Sequence, residues 1–313
     1  MLLAALLVAL HADAGWFADA FALDGAGGRL AAVRVAADGA VVLEVRDVGL
    51  GAVLWRARLD AAPTELAFTP GGLLVVWGRR SAPPPAVTSP VAPPGAGTAV
   101  LYDDAGAARA RYGPAIDVAA SGDRIGVVTA TEVTLYDVDR PERPLVHRAL
   151  GKRADFEPRW WRAGYTQLVG RRPGRYDRAL DRRLPDTEAS YDVEKGTFSE
   201  RPIADPIVWE RIARERAARP NQDSFALADG AIVTAGDRIV PIALGPIEAA
   251  EPHADGQLVI SVAAGAGLDL YRLEPGATGP EKLGRLPGAP RWHVAGGRVA
   301  VLERGVDLRV LEL

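Results

Sequence analysis

Arg29-Leu-Ala-Ala-Val33, Val42-Leu-Glu-Val-Arg-Asp47 and Val53-Leu-Trp-Arg-Ala-Arg58 follow one another within thirty residues, and their order decides the fold. The first run is apolar after Arg29, the second alternates apolar with polar residues, and the third also carries charge, at Arg56 and Arg58. Short runs of this kind read as strands, and hydrophobicity falling from run to run places them progressively nearer to water. Ahead of them stands Asp24-Gly25, a tight-turn signal, because glycine reaches positive φ at little steric cost.

The pattern recurs along the chain. Apolar runs of the Arg29 type return at Gly72-Leu-Leu-Val-Val76, Arg124-Ile-Gly-Val-Val128, Gln167-Leu-Val-Gly170, Gly230-Ala-Ile-Val-Thr234, Gln257-Leu-Val-Ile260 and Arg298-Val-Ala-Val-Leu302. Shorter runs precede several of them across turns such as Gly71-Gly72, Asp229-Gly230 and Gly296-Gly297. Seven units in roughly 300 residues give a period of about 43, close to that of propeller blades. The expected fold is all-β: a propeller of seven blades, each of three to four antiparallel strands, ahead of six or eight blades. A pair of β-sandwiches or an open solenoid is the competing architecture, and the near-constant period argues against the sandwiches. Unit five leaves little room for an outer strand, and the last unit ends at its third.

Residues 17–313 resemble the bacterial seven-bladed propellers related to WD-repeat and quinoprotein-like (pyrroloquinoline-quinone-type) proteins. Third strands end in Tyr102-Asp103, Tyr136-Asp137 and Tyr191-Asp192, where WD-repeats place Trp-Asp. Asp47, Gly51 and Trp55 keep the spacing of the quinoprotein blade motif, with Leu50 in place of its usual threonine. The resemblance implies that the Asp-Gly turn positions Trp55 between blades. It does not imply the quinone, because the adjacent cysteine pair found near that cofactor cannot exist in this chain.

Composition narrows the function classes. The chain is 48% hydrophobic and 25% charged, with a net charge of −3 and no cysteine. This is a globular balance with no electrostatic call for nucleic acid. Disulfides, thiolate metal sites, catalytic thiols and cysteine lipidation are excluded. Histidines stand only at 11, 147, 253 and 293, so a multi-histidine metal site would need distant segments. Arginine outnumbers lysine heavily, a GC-rich coding habit that makes arginine abundance weak evidence of function.

Residues 1–14 begin with the apolar run Met1-Leu-Leu-Ala-Ala-Leu-Leu-Val-Ala-Leu10, followed by Ala12-Asp13-Ala14. An apolar segment before A-x-A is the export pattern, although no basic residue precedes it. We therefore expect a signal peptide over 1–14, a single propeller domain over 15–313, and a periplasmic or secreted protein. The competing reading is a buried strand or helix in a protein that stays in the cytoplasm. No later run is long enough to span a membrane.

Three segments interrupt the repeat. Residues 81–97 are a proline-rich surface loop. Residues 159–183 interleave arginine with aromatic residues, and Arg159, Trp160, Trp161, Arg171, Arg172, Arg175 and Tyr176 form the candidate partner or ligand surface, since such residues dominate contact hot spots. The same stretch also reads as a solvated edge with Trp161 and Tyr165 in the core. Residues 205–220 predict the one helix, near 206–219, with Asp205 as N-cap, Pro206 at the first helical position and an apolar stripe of Val208, Trp209, Ile212, Ala213 and Ala217.

No nucleophile elbow, zinc-protease motif, phosphate loop or calcium loop occurs. We nominate no catalytic, cofactor or metal residue. The expected function is non-catalytic: a binding or scaffold propeller for a protein or small polar ligand. The alternative is a metal-dependent hydrolase or lactonase whose dispersed carboxylates line the channel.

Overall fold

The computed structural model describes residues 6–12, 14–77, 97–129, 131–150, 156–162, 166–218, 224–227, 229–234, 238–253, 256–277, 279–288 and 290–313. Most of the proline-rich stretch, together with Tyr165 and Pro220, lies outside them. The chain forms a seven-bladed propeller of antiparallel sheets. Blade 1 runs Gly15–Leu23, Arg29–Ala36, Val41–Asp47 and Val53–Leu59 from the axis outward. Blade 2 runs Glu65–Thr69, Gly72–Trp77, Gly97–Tyr102 and Ala108–Ala115. Blade 3 runs Asp117–Ser121, Arg124–Val128, Glu132–Asp137 and Pro144–Ala149. Blade 4 runs Glu157–Trp161, Gln167–Arg172, Thr187–Asp192 and Thr197–Pro202.

Blade 5 has three short strands, Phe225–Leu227, Ala231–Val233 and Ile239–Pro241. Its outermost strand ends in a proline, which offers no N–H to a neighbouring strand. Blade 6 runs Ile247–Pro252, Leu258–Ala264, Gly267–Leu273 and Glu281–Pro287. Blade 7 takes Arg291–Ala295, Arg298–Glu303 and Asp307–Glu312 from the end of the chain, and its outer strand, Leu6–His11, from the beginning. In that last pairing Val8 faces Val310, Leu10 faces Leu308 and His11 faces Asp307. The apolar run read as an export segment thus closes the ring in the full chain.

Burial follows the gradient read from the repeat. The second strands are almost wholly buried, whereas Pro144–Ala149 and Thr197–Pro202 are largely exposed. Apolar clusters lie in the seams between blades. Leu43, Val45, Trp55, Leu73 and Tyr102 fill the seam of blades 1 and 2, and Leu101, Tyr112, Val118 and Ile125 fill that of blades 2 and 3. Val8, Phe17, Leu30, Leu302 and Val310 fill the seam of blades 7 and 1. Each fully buried leucine or valine in such a seam contributes about 1.5–3 kcal/mol of transfer free energy.

The turn motifs have local physical causes. The Asp47 carboxylate accepts the Leu50 N–H at 2.7 Å, and Gly51 sits at φ 65°. That turn delivers Trp55 into the seam, where it stacks on Tyr102 with ring centroids 5.9 Å apart. Its ring lies so close to Gly106 that a Cβ there would fall 2.8 Å from it. The aspartates of the Tyr-Asp endings act alike: Asp103 accepts the N–H groups of Ala105 and Ala107, Asp137 that of Asp139, and Asp192 that of Lys195. These bonds stabilise the ionised Asp192 and hold its carboxyl below the ordinary range.

One helix, α1 (Pro206–Ala218), occurs among the described residues. Asp205 caps it by accepting the N–H groups of Ile207 and Val208 at 2.9 and 3.1 Å.

Candidate functional site

Because successive strands alternate in direction, connections within the disc sort onto its two faces. First-to-second and third-to-outer turns leave one face, and the turns capped by Asp47, Asp103, Asp137 and Asp192 are among them. Second-to-third connections and the links to the next blade leave the other. The described parts of all three interruptions belong to this second face. Trp77 and Gly97, the described residues on either side of 78–96, end the second strand and begin the third strand of blade 2. The arginine-rich connection joins the second and third strands of blade 4. Helix α1 joins blade 4 to blade 5.

Helix α1 fills the seam between those two blades. Trp209 and Ala213 pack with Val169 and Ile203 of blade 4. Ile212 and Val208, on the adjoining stripe, pack with Phe225, Leu227 and Val233 of blade 5. The single predicted stripe therefore serves two neighbours at once. Among the described residues no apolar cluster joins blades 4 and 5 directly, so the helix supplies the apolar contact that the short strands of blade 5 do not.

The same seam holds a buried acid. Glu188, 5% exposed, lies opposite Arg201 on the outer strand of blade 4. Its carboxylate accepts Arg201 Nε and Nη2 at 3.0 Å each, Arg162 at 3.4 Å and the Trp209 indole N–H at 2.8 Å. A buried carboxylate needs such donors to offset its lost hydration. Around it, Arg171 reaches Glu157 at 3.2 Å and Asp186 at 3.4 Å, and Arg159 reaches Glu157 at 3.4 Å and Glu210 of α1 at 3.8 Å. Arg172 pairs with Glu200 at 2.6 Å.

The candidate surface is therefore divided. Trp161 lies in the core between blades 3 and 4, 1% exposed, beside Phe156 and Tyr191. The Trp160 side chain is outside the described residues. Arg159, Arg171 and Arg172 are bound to acids within blade 4 and α1. Arg175 and Tyr176 stand apart on a two-stranded ribbon, Tyr176–Asp177 against Arg182–Arg183, that extends from the insertion-bearing face. Its base is fixed by the Gly174 N–H on Asp186 at 2.7 Å and by the Leu184 N–H on the Arg175 carbonyl at 2.8 Å. Tyr176 donates to Asp181, and this bond keeps its hydroxyl protonated above the ordinary phenol range. Asp177 accepts the N–H groups of Ala179 and Leu180 and so caps the ribbon turn.

Glu188 was not singled out in the sequence. Its signal was the cross-strand pairing with Arg201, which is visible only once the register is known. Among the described residues no group of three or more His, Asp or Glu side chains is placed to hold a metal ion, and no helix is long and apolar enough to cross a membrane.

Known proteins relate to this chain through shape alone. No family model and no curated protein matches it. Among solved structures, the β-propeller domain of the Trilobed protease from Pyrococcus furiosus is similar over 96% of this chain and 95% of its own, with a TM-score of 0.53 and 11% identity. Virginiamycin B lyase from Staphylococcus aureus is similar over 98% of each chain, with a TM-score of 0.52 and 11% identity. A chain of the mitotic checkpoint complex is similar over 98% of this chain and 91% of its own, with a TM-score of 0.52 and 10% identity. At such identities the likeness shows the propeller fold and nothing finer.

Proposed function

We propose that the protein is a non-catalytic binding or scaffold propeller whose insertion-bearing face, at blades 2, 4 and 5, receives a protein or small polar ligand. The observation that supports this reading is that the arginine-rich ribbon, helix α1 and the described residues flanking 78–96 share one face, while the turns capped by Asp47, Asp103, Asp137 and Asp192 lie on the other. Loops on a rigid scaffold are where recognition residues gather. The resemblance to WD-repeat and quinoprotein-like propellers is part of the proposal, supported by the capped Tyr-Asp turns and by Trp55 in its seam. Export is a further part, and it carries a condition: cleavage after Ala14 would leave blade 7 with three strands.

The test is affinity capture from the native cell with two altered proteins, one with residues 175–184 replaced by a tight turn, the other with Asp103→Ala and Asp137→Ala on the opposite face. A partner retained by the second and lost by the first is the expected result. Capture indifferent to both changes, or a stoichiometric divalent metal surviving dialysis, would contradict it, and the metal would favour a hydrolase with carboxylates in the channel.

A further inference from the structure

We infer that the blade 4 ribbon is a docking arm for an acidic polypeptide segment of a partner protein, a reading that rests on the proposed binding face and names the chemistry of what it receives. Within residues 175–183 stand Arg175, Arg178, Arg182 and Arg183 against Asp177 and Asp181. All four arginines are exposed. None of them has an ion-pair partner among the described residues, in contrast to Arg159, Arg171 and Arg172 at the ribbon base, which are each bound to carboxylates. Both acids of the ribbon are engaged locally, Asp177 in capping the turn and Asp181 in accepting the Tyr176 hydroxyl. The ribbon therefore presents more positive charge than its own acids answer, on a chain whose net charge is −3.

Apolar surface accompanies that charge. Tyr176 is 57% and Leu180 55% exposed, among the larger apolar exposures of the molecule. Arginine beside tyrosine and an aliphatic side chain is the composition of protein-interface anchors, with guanidinium groups forming forked bonds to carboxylates around an apolar contact. The acidic balance of the whole chain opposes a long polyanion, which would run past the ribbon. A short acidic segment carrying its own apolar residue meets only the ribbon.

The probe is a fluorescein-labelled peptide in which glutamates flank a central leucine and phenylalanine, titrated into the full-length protein at low and high salt. Controls are the same peptide with glutamine for glutamate, a single-stranded thymidine oligonucleotide, and vesicles containing phosphatidylserine. Combined Arg175→Ala, Arg178→Ala, Arg182→Ala and Arg183→Ala should weaken binding of the glutamate peptide about tenfold or more and reduce its salt dependence. Combined Arg58→Ala, Arg111→Ala, Arg140→Ala and Arg143→Ala, at exposed positions on blades 1 to 3, should leave it unchanged. Lack of peptide binding, equal binding by both variants or by the glutamine peptide, or tighter binding of the oligonucleotide or vesicles overturns the inference. A ribbon-dependent partner captured from cells alongside a failed titration would keep the face and reject the acidic chemistry.

Discussion

The seam between blades 1 and 2 and the seam between blades 4 and 5 join the same kind of neighbours by different physics. In the first, strands meet directly: Trp55 lies on Tyr102 and over Gly106, within a continuous apolar cluster. In the second, a helix stands between the blades, and the buried Glu188 carboxylate gathers two arginines and an indole. Burial of apolar area is the larger and less conditional source of stability, whereas a buried ionic cluster holds only while every partner is present. The difference teaches that the seam of blades 1 and 2 rests on direct apolar packing, whereas that of blades 4 and 5 rests on a helix and an ionic cluster, where the ribbon and helix leave the disc.

Truncation of the two tryptophans should expose this contrast. Trp55→Ala should cost about 3–5 kcal/mol, because direct strand-to-strand packing cannot close the space left by the ring. Trp209→Ala should cost about 2–4 kcal/mol, because a helix on its linkers can shift toward blade 4. Denaturant midpoints of the two variants against the parent check the order. An unchanged midpoint for Trp209→Ala would mean that the helix does not hold blades 4 and 5 together.

A smaller effect should distinguish the seams by pH. Tyr102, Tyr112, Tyr136 and Tyr191 stand in the seams of blades 1 to 4, and burial raises each phenol above its ordinary value, Tyr112 most strongly. Tyr112 also donates to the Pro141 carbonyl. Since the unfolded chain ionises first, this stabilisation is full below about pH 10 and declines as pH rises through the folded value. At pH 11 the loss carried by Tyr112 should be about 1 kcal/mol relative to pH 8, and Tyr112→Phe should remove that share of the slope. Midpoints at the two pH values measure it, and an unaltered slope in the variant would place the alkaline sensitivity elsewhere.

Much of the architecture was legible before any coordinate. The second-strand runs, the glycine turns and the Asp47, Gly51 and Trp55 spacing are local patterns, and local patterns survive folding unchanged. Asp205 and Pro206 marked the helix start for the same reason. The N-terminal run was ambiguous on physical grounds: a short stretch of leucine, valine and alanine has the same composition as a signal segment or as a strand, and its pairing with Asp307–Glu312 in the uncleaved chain is not visible in the sequence. The arginine-rich segment was harder to read. Its balancing acids, Glu157, Glu188, Glu200 and Glu210, lie on neighbouring strands and on α1, so charge counted along residues 159–183 could not separate bound arginines from free ones. What remained exposed after folding was the ribbon.

Amide hydrogen exchange of the full chain, alone and with the captured partner, tests the placement of function at the insertion-bearing face most directly. The account predicts that the partner slows exchange in residues 174–186 and leaves the capped turns at 47–52, 103–107 and 192–196 unchanged. Protection at those turns, with the ribbon exchanging as in the free protein, would contradict it.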